Sequence, residues 1–498
     1  MKAFLMFRDR DVDLQQKSLP NEQALVQDLE LSTLFNAMSN DDKFLFEIAQ
    51  KTVMSGLSDI GAIRYRQEIL KDCMANPSVV KKIYDIAVES LEKQRKSWGY
   101  SSRYPSLVLH GSTAVLHMFL DMLKLLRNVA DEQSEKFRSE GFTLLFAMLK
   151  KELNDEYFAG LEKHLKQLEF RDGVLISSEL GKGNKGTDYM LRKAYRRKQG
   201  WIERIFGDKP AVYAFNLHPR DEAGARALSE LKDRGINLVA NALAQSADHI
   251  LSFFRMLRTE LAFYISCLNL YEQLNKKGEP VSFPLPATAD TRHLDCKGLY
   301  EVCLALNVKE RVVGNEISAD GKNIVIITGA NQGGKSTFLR SLGVAQLMMQ
   351  CGMFVPAESF SSSVCCRIFT HYKREEDAAM ESGKFDEELG RMSDIVENIV
   401  SHSMVLFNES FAATNEREGS EIATQIIRAL SEKKITVLFV THMYEFAHGL
   451  YDQKMENALF LRAERQPDGR RTFKIIEGEP LQTSYGEDLY RKIFGTDR

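Results

Sequence analysis

The stretch from Gly329 to Ser336 has the residue types and the spacing that phosphate chemistry requires. It matches the pattern G-x-x-x-x-G-K-S. In such a loop, glycines let backbone N–H groups approach phosphate oxygens, the lysine reaches the β- and γ-phosphates, and the serine ligates Mg²⁺. The sequence therefore predicts a nucleotide site made of Gly329, Ala330, Asn331, Gln332, Gly333, Gly334, Lys335, Ser336 and Thr337.

The segments on either side of this loop favour the same interpretation. Residues 324–328 are apolar and β-branched, which predicts a buried strand. Residues 338–342 begin a helical pattern. A strand, a glycine-rich turn and a helix N-terminus together bind phosphate, because free N–H groups and the helix dipole point at the anion. This context favours a phosphate loop over a chance glycine-rich turn.

Polar residues follow two further predicted strands. Residues 403–407 are apolar and are followed closely by Glu409, and a carboxylate in that place can orient or activate water beside a γ-phosphate. The strand predicted over residues 435–440 is followed by His442, which is either a γ-phosphate contact or a structural side chain. We predict Glu409 and His442 as the catalytic residues.

Length and composition place broad limits on the chain. Its 498 residues are too many for one compact core, so roughly three domains are expected. No apolar run reaches the length of a membrane span, and the N-terminus lacks the core of a signal peptide, so we expect a cytoplasmic protein without a membrane partner. The seven cysteines include no C-x-x-C pair, which argues against a zinc site and a disulfide framework.

The hydrophobic pattern divides the chain into four predicted segments. Residues 1–165 show three-to-four spacing and are predicted to form a helical core. Residues 166–230 carry short strand patterns and glycine-rich turns, which predicts a small β-containing insert. Residues 231–279 read as one long helix, which either connects two bodies or is the core helix of a bundle. After Pro280, residues 280–498 form the predicted nucleotide domain.

A basic cluster lies inside the predicted insert. Residues 171–200 contain eight Lys or Arg against three Asp or Glu, whereas the whole chain has a net charge of −3. The cluster is either a solvated loop face or a strip that contacts the phosphate backbone of nucleic acid. The second interpretation predicts contacts from Lys182, Lys185, Arg192, Lys193, Arg196, Arg197 and Lys198.

Together these motifs resemble the MutS family of DNA mismatch-repair ATPases. Residues 328–337 read TGANQGGKST, close to the family's TGPNMGGKST. Residues 408–419 align without gaps to the family segment that carries the catalytic Glu, residues 441–442 match its TH pair, and residues 484–486 match its C-terminal SYG. The resemblance is specific over residues 310–495. It is weaker upstream, where the long helix resembles the family's lever and the basic insert takes the position of its clamp.

The resemblance implies a fold and a set of site residues. The fold would be an α/β P-loop, ABC-type ATPase domain at the C-terminus, preceded by a long, mostly α-helical lever and core domain with a small β-containing clamp-like insert. Glu409 would be the catalytic carboxylate, and Ser336 and Asn408 would hold Mg²⁺. Asn408 stands where the family has Asp, so a charge that holds Mg²⁺ through water is lost and hydrolysis is expected to be slow. Ser382, which opens a predicted helix, would complete the ATP site of the second subunit in a homodimer formed through the ATPase domains.

The resemblance also implies a function. The chain resembles a short form of the family that lacks the mismatch-recognition domain, the connector domain and the Smr domain. We expect a Mg²⁺-dependent ATPase that acts as an ATP-switched clamp on duplex, branched or mismatched DNA in repair or recombination. The alternative is a nucleotide-gated scaffold with negligible ATP turnover that acts on RNA or ribosomes, and an SMC-like ATPase is a third interpretation. Association with the nucleoid is an alternative to a free cytoplasmic location.

Overall fold

Two units, each made of several chain segments, divide the chain. The computed structural model describes residues 1–13, 21–96, 104–170, 173–193, 216–374, 383–466 and 471–482. The first unit comprises Met1–Ala3, Lys81–Phe137 and Thr143–Arg258, and the second unit comprises Phe4–Val80, Arg138–Phe142 and Thr259–Arg498.

Helices dominate the first half of the chain, and strands alternate with helices in the second half. The helices in the described part are α1 Glu22–Asp28, α2 Leu31–Ser39, α3 Lys43–Met54, α4 Ile60–Ala75, α5 Pro77–Arg95, α6 Pro105–Gln133, α7 Glu140–Glu152, α8 Asp155–Leu168, α9 Glu222–Lys276, α10 Val302–Asn307, α11 Lys335–Gln350, α12 Lys384–Asn398, α13 Glu416–Glu432 and α14 Tyr444–Asp452. The strands there are β1 Leu175–Leu180, β2 Gly186–Arg192, β3 Leu285–Ala287, β4 Leu294–Leu299, β5 Asn315–Ser318, β6 Ile324–Gly329, β7 Ser359–Ser363, β8 Ile368–Tyr372, β9 Met404–Asn408, β10 Thr436–Val440, β11 Ala458–Arg465 and β12 Arg471–Glu477.

The main sheet of the second unit has six strands in the order β12-β11-β6-β10-β9-β8. Strands β6 and β8 to β11 run parallel, and β12 pairs antiparallel at one edge. Every residue of β6 is buried, as is typical of a central strand in a parallel sheet. Phe407 of β9 and Phe439 of β10 stack in the core beneath it, with ring centroids 5.0 Å apart. The carboxyl ends of β6, β9 and β10 therefore meet at one edge of the sheet.

A smaller sheet in the same unit has the order β3-β7-β4-β5. Residues 4–80 also belong to this unit, which differs from the predicted segments 1–165 and 280–498. A buried contact accounts for part of the difference, because the guanidinium of Arg66 on α4 donates a hydrogen bond to the carbonyl of Cys351 at 3.3 Å. Helical periodicity in a sequence identifies such a helix but does not identify the strand or helix against which it packs.

The long helix α9 begins nine residues before the start predicted for it, at Glu222 rather than at residue 231, and ends at Lys276. The side chain of Asp221 accepts a hydrogen bond from a backbone N–H of the first turn at 2.8 Å, which is a typical helix start. Gly235 lies inside the helix, and a Cβ there would come within 2.5 Å of Ile176 in β1. The glycine, which weakens the helix pattern in the sequence, thus allows the side chain of Ile176 to approach the helix closely in the first unit.

Strands β1 and β2 form an antiparallel hairpin in the first unit. They overlap the strands predicted over residues 173–177 and 188–191, so these two predictions are confirmed. The strand predicted over residues 211–215 lies outside the described residues.

Within the described residues, the helical stretch Pro105–Lys136 is long and apolar enough to cross a membrane, with a mean hydropathy of 1.3 over an 18-residue segment. The expectation that the chain has no such stretch was therefore wrong. More than half of that segment, 56%, is buried inside the protein, and this is typical of a core helix of a globular protein. Leu109, for example, packs with Ile236 and Ala240 of α9 in the first unit.

Candidate nucleotide site

The predicted phosphate loop connects the carboxyl end of β6 to the start of α11. Gly329 and Gly334 both have positive φ, +105° and +89°, which side chains rarely adopt. A Cβ at Gly329 would also lie 2.8 Å from the backbone nitrogen of Ala463 in β11. At Gly333 a Cβ would lie 2.6 Å from the Cβ of Ala463. The glycines of the motif therefore allow both the turn and the close approach of the neighbouring strand.

Lys335 is the first residue of α11 and is only 5% exposed. Its ammonium donates hydrogen bonds to the carbonyls of Gly329 and Ala330, each at 3.0 Å, so the charge lies over the loop itself. Burial lowers the pKa of Lys335 to about 8, and the nearby carboxylate of Glu409 opposes part of that shift. The loop thus contains a buried ammonium group that loses its proton more readily than an exposed lysine does.

Ser336 and Asn408 meet where the metal ligands were predicted. The hydroxyl of Ser336 donates a hydrogen bond to Oδ1 of Asn408 at 2.8 Å. Two oxygen atoms beside the loop suit Mg²⁺, which takes oxygen ligands and usually keeps several waters. No group of three or more His, Cys, Asp or Glu residues that could hold a metal occurs in the part of the chain that the structure describes. Ser336 and Asn408 are neutral ligands. The pair therefore fits a Mg²⁺ ion that arrives bound to the nucleotide phosphates.

Glu409 and His442 follow the neighbouring strands β9 and β10 and contact each other. Nε2 of His442 lies 3.0 Å from Oε1 of Glu409, and both side chains are partly exposed. Glu409 has a left-handed backbone with φ of +55°, and its N–H donates to the carbonyl of Val440 at 2.9 Å. The hydrogen bond from His442 lowers the pKa of the Glu409 carboxyl, so the group is ionised at neutral pH and can accept a proton from water.

A buried histidine behind Glu409 was not found from the sequence. His371 of β8 lies with Nδ1 2.8 Å from the hydroxyl of Ser410, and its Nε2 donates to the carbonyl of Glu388 on α12 at 2.9 Å. Its ring stacks on Phe411 with centroids 5.2 Å apart. Burial lowers the pKa of His371 to about 4, so the ring is neutral at pH 7. His371 thus joins α12 to the segment that follows Glu409, and its position at a strand end was the signal available in the sequence.

The hairpin of β11 and β12 also reaches the loop, and no motif in the sequence indicated it. Nε of Arg471 donates to the carbonyl of Asn331 at 3.2 Å. Phe473 lies against Gly334, where an added Cβ would be 3.5 to 3.7 Å from its backbone and Cβ. These residues are more than 130 positions beyond the loop in the sequence, so only the pairing of β11 with β6 brings them there.

The structure therefore brings together Lys335 with Glu409, Ser336 with Asn408, and Glu409 with His442. Ser382 lies outside the described residues, and Gly383 next to it is the residue that precedes α12.

The predicted basic strip belongs to the first unit and is only partly described. Lys182 and Lys185 are exposed in the turn of the β1–β2 hairpin, and Arg192 and Lys193 are exposed at the other end of β2. Gly186 and Arg192 are six steps apart along the strand, or about 20 Å. The structure thus places the described members at both ends of one hairpin and does not cluster them. The remaining members, Arg196, Arg197 and Lys198, lie outside the described residues.

Two family models match separate parts of the chain. The model of the MutS2 N-terminal domain matches residues 58–277, and the model of MutS domain V, an ATPase domain, matches residues 325–493. The second match contains the phosphate loop, Asn408, Glu409 and His442.

Curated relatives show the same similarity. MutS protein homolog 4 of Mus musculus is 27% identical over 279 residues, which is 54% of this chain and 28% of the relative. DNA mismatch repair protein MutS of Parabacteroides distasonis is 33% identical over 177 residues, 34% of this chain and 20% of the relative. The MutS protein of Thermotoga maritima is 34% identical over 188 residues, 37% of this chain and 24% of the relative. The aligned parts thus span less than a third of each relative.

The motif resemblance found in the sequence is confirmed by these matches. Both family models are MutS models, and together they cover most of the chain from residue 58 to residue 493. The chain belongs to the MutS family.

Proposed function

We propose that this chain is a slow, Mg²⁺-dependent ATPase whose nucleotide state controls its binding to DNA. The observation that carries the proposal is the meeting of three groups at one sheet edge: the Lys335 ammonium over the loop, the Ser336–Asn408 pair, and the Glu409–His442 pair. These groups supply a cation for the phosphates, ligands for the metal ion, and a base that is ionised at neutral pH.

Each residue would have a defined part in hydrolysis. The backbone N–H groups of the loop and Lys335 would bind the β- and γ-phosphates. Ser336 and Asn408 would hold Mg²⁺, which would neutralise phosphate charge when bound. Glu409 would orient the attacking water and accept its proton, while His442 fixes the carboxylate by the 3.0 Å hydrogen bond. The neutral amide of Asn408 holds the metal less strongly than a carboxylate, and slow turnover follows from this.

The assembly and the ligand are extensions of this proposal. Ser382 would act on the γ-phosphate bound to the second subunit of a homodimer, so each site would need two chains. The relatives from Parabacteroides distasonis and Thermotoga maritima are named DNA mismatch repair proteins. The exposed lysines of the first unit suit backbone contacts with duplex or branched DNA. We place the protein in the cytoplasm, where its substrate and DNA are both present.

A second candidate function is a nucleotide-gated scaffold with negligible turnover, acting on RNA or ribosomes. Asn408 is the observation that favours it, because the site would bind ATP with Mg²⁺ weakly held and then hydrolyse it too slowly to matter.

One set of measurements separates the two candidates. ATP affinity and steady-state hydrolysis are measured with Mg²⁺, alone and with homoduplex, mismatched, branched or single-stranded DNA, or with RNA. DNA-stimulated turnover supports the ATPase, while tight ATP binding without turnover in any mixture supports the scaffold. Lys335→Ala should lose tight ATP binding. The matched control is Lys322→Ala, just before the opposite end of β6, which should bind ATP as the wild type does. Equal ATP affinity in the two variants would refute the nucleotide site.

A further inference from the structure

The segment that carries Glu409 has an unusual backbone. Glu409 has a φ of +55° and Phe411 a φ of +61°, so Ser410 lies between two residues in the left-handed region that side chains seldom adopt. Such a conformation is unfavourable for residues other than glycine, and it persists only where neighbouring contacts hold it. The direction of the Glu409 side chain therefore depends on the groups that fix Ser410 and Phe411.

His371 of β8 contacts both of these residues. Its ring is fully buried and stacks on Phe411, with an angle of 19° between the ring planes. The hydroxyl of Ser410 lies 2.8 Å from Nδ1 and also contacts the backbone carbonyl of His371. Because the ring is neutral at pH 7 and its Nε2 donates elsewhere, Nδ1 can only accept the hydroxyl proton. One residue of the neighbouring strand thus holds Ser410 and Phe411.

The other ring nitrogen of His371 connects the same segment to α12. Nε2 donates to the carbonyl of Glu388, 2.9 Å away. The carboxyl of Glu388 is buried as well. Burial raises the pKa of this carboxyl, and hydrogen bonds from the backbone N–H groups of Phe411 and Ala413 oppose part of that shift. Helix α12 therefore contacts residues 410–413 twice, through the ring of His371 and through the carboxyl of Glu388.

Two further contacts restrict this segment. Gly419 of α13 lies so close to Phe411 that a Cβ on the glycine would overlap the carbonyl oxygen of the phenylalanine. The N–H of Glu409 donates to the carbonyl of Val440 at 2.9 Å, and its carboxylate contacts His442 at 3.0 Å. A segment held on several sides cannot shift at Ser410 or Phe411 without also displacing the carboxylate of Glu409.

We propose that His371 is a positioning residue for ATP hydrolysis, which keeps Glu409 in place by joining Ser410 and Phe411 to α12. The inference rests on the proposed ATPase and adds a residue that acts on the base from behind. Because the ring is fully buried, it acts through Ser410 and Phe411 and not by contact with ATP. The phosphates bind independently of it, through the loop and Lys335. Loss of the ring therefore lowers kcat and leaves nucleotide affinity unchanged.

The test separates turnover from binding in the full chain. Steady-state kcat is measured with ATP and Mg²⁺, and Kd is measured by calorimetry with ADP and Mg²⁺. His371→Phe keeps a ring that can stack on Phe411 but removes both polar contacts, so kcat should fall by about ten-fold or more while Kd stays within about two-fold. His371→Gln retains a donor for the carbonyl of Glu388 and should recover part of the lost rate. The matched control is His293→Phe, the same substitution at a residue that pairs with Asp320, and it should change neither constant.

A double-mutant cycle distinguishes positioning from general damage to the fold. Ser410→Ala removes only the hydroxyl between Glu409 and Phe411, and it should lower kcat without changing Kd. If the ring and the hydroxyl act through one contact, His371→Phe combined with Ser410→Ala should lose less rate than the product of the two single losses. Two side chains that stabilise the fold independently would give the full product.

Three results would overturn the assignment: wild-type kcat in His371→Phe or in Ser410→Ala, a loss of ADP affinity as large as the loss of kcat, or independent losses in the double variant. If His371→Phe does not fold, Ser410→Ala decides alone, because it removes a single buried oxygen. Any of these results in a chain that hydrolyses ATP leaves the proposed ATPase intact. A wild-type chain that binds ATP without turnover refutes both proposals.

Discussion

The buried ammonium of Lys335 predicts that nucleotide binding weakens as the pH rises through about 8. Burial lowers the pKa of the lysine from 10.5 to about 8 in the protein without nucleotide. A bound phosphate favours the charged form and raises that pKa again. Above pH 8 the free protein has lost the proton, and binding must take one up. With a pKa of 8, about nine-tenths of the lysine is protonated at pH 7 and about one-tenth at pH 9, so Kd rises about ten-fold over this range.

Calorimetry with ADP and Mg²⁺ at pH 7, 8 and 9 measures this change without hydrolysis. Titrations at pH 9 in two buffers of different ionisation enthalpy should report an uptake approaching one proton per nucleotide, against about one-tenth at pH 7. Glu409 supplies a second check, because its negative charge raises the pKa of Lys335. Glu409→Gln should therefore move the onset of the weakening to lower pH. Circular dichroism at each pH confirms that the fold is intact.

A Kd that varies by less than about two-fold between pH 7 and pH 9, with no proton uptake, would refute the reasoning. So would a Glu409→Gln variant whose affinity weakens over the same pH range as in the wild type. The first result would mean that the ammonium keeps its proton in the free protein because the carbonyls of Gly329 and Ala330 compensate its burial. The second would mean that the charge of Glu409 does not act on Lys335.

Three further predictions address the other groups. Glu409→Gln should bind ATP within about three-fold of the wild type at pH 7 but stop hydrolysis, because the amide cannot accept a proton; turnover at the wild-type rate would exclude Glu409 as the base. Asn408→Asp adds a carboxylate beside Ser336 and should lower the Mg²⁺ concentration needed for half-maximal hydrolysis; an unchanged requirement would show that Asn408 does not limit metal binding. Replacing both Lys182 and Lys185 with Ala should reduce the slope of log K against log salt for binding of duplex DNA by up to about 1.8. The control is Lys93→Ala, which removes an ammonium that pairs with Glu89 and should leave the slope unchanged. A double variant with the wild-type slope would mean that the turn contacts only solvent.

Much of the nucleotide site could be predicted from local sequence. The apolar β-branched run of β6, the glycines and the lysine that follow them lie within about a dozen consecutive residues. Each of these features acts through short-range geometry, namely positive φ and a helix start. Glu409 and His442 were also predictable, because residues just after parallel strands meet at the carboxyl edge of a sheet. Their mutual contact at 3.0 Å is the geometry expected from that rule.

The boundaries of the units could not be predicted in the same way. Periodicity shows that α4 has a buried face, but the face of Arg66 is buried against the carbonyl of Cys351, far along the chain. Likewise the early start of α9 depends on a cap from Asp221 and on the fit of Ile176 against Gly235. The contacts of Arg66 and of Gly235 join distant segments and outweigh the local signal, because packing contributes more than intrinsic propensity. The Asp221 cap is itself local and lies outside the predicted bounds of the helix.

The sequence by itself determined the family, the predicted phosphate loop and the residue types at the carboxyl edge of the main sheet, because these are encoded in runs of neighbouring residues. Only the tertiary structure decided which other side chains border the loop. Arg471 and Phe473 reach it because β11 pairs with β6 in parallel and β12 folds back on β11. His371 reaches the segment after Glu409 because β8 pairs with β9. Strand order depends on long-range pairings, and no local pattern in the sequence records their loop-closure cost or the burial that they share. Arg471 and Phe473 therefore carried no signal in the sequence, and His371 carried only its position near a strand end.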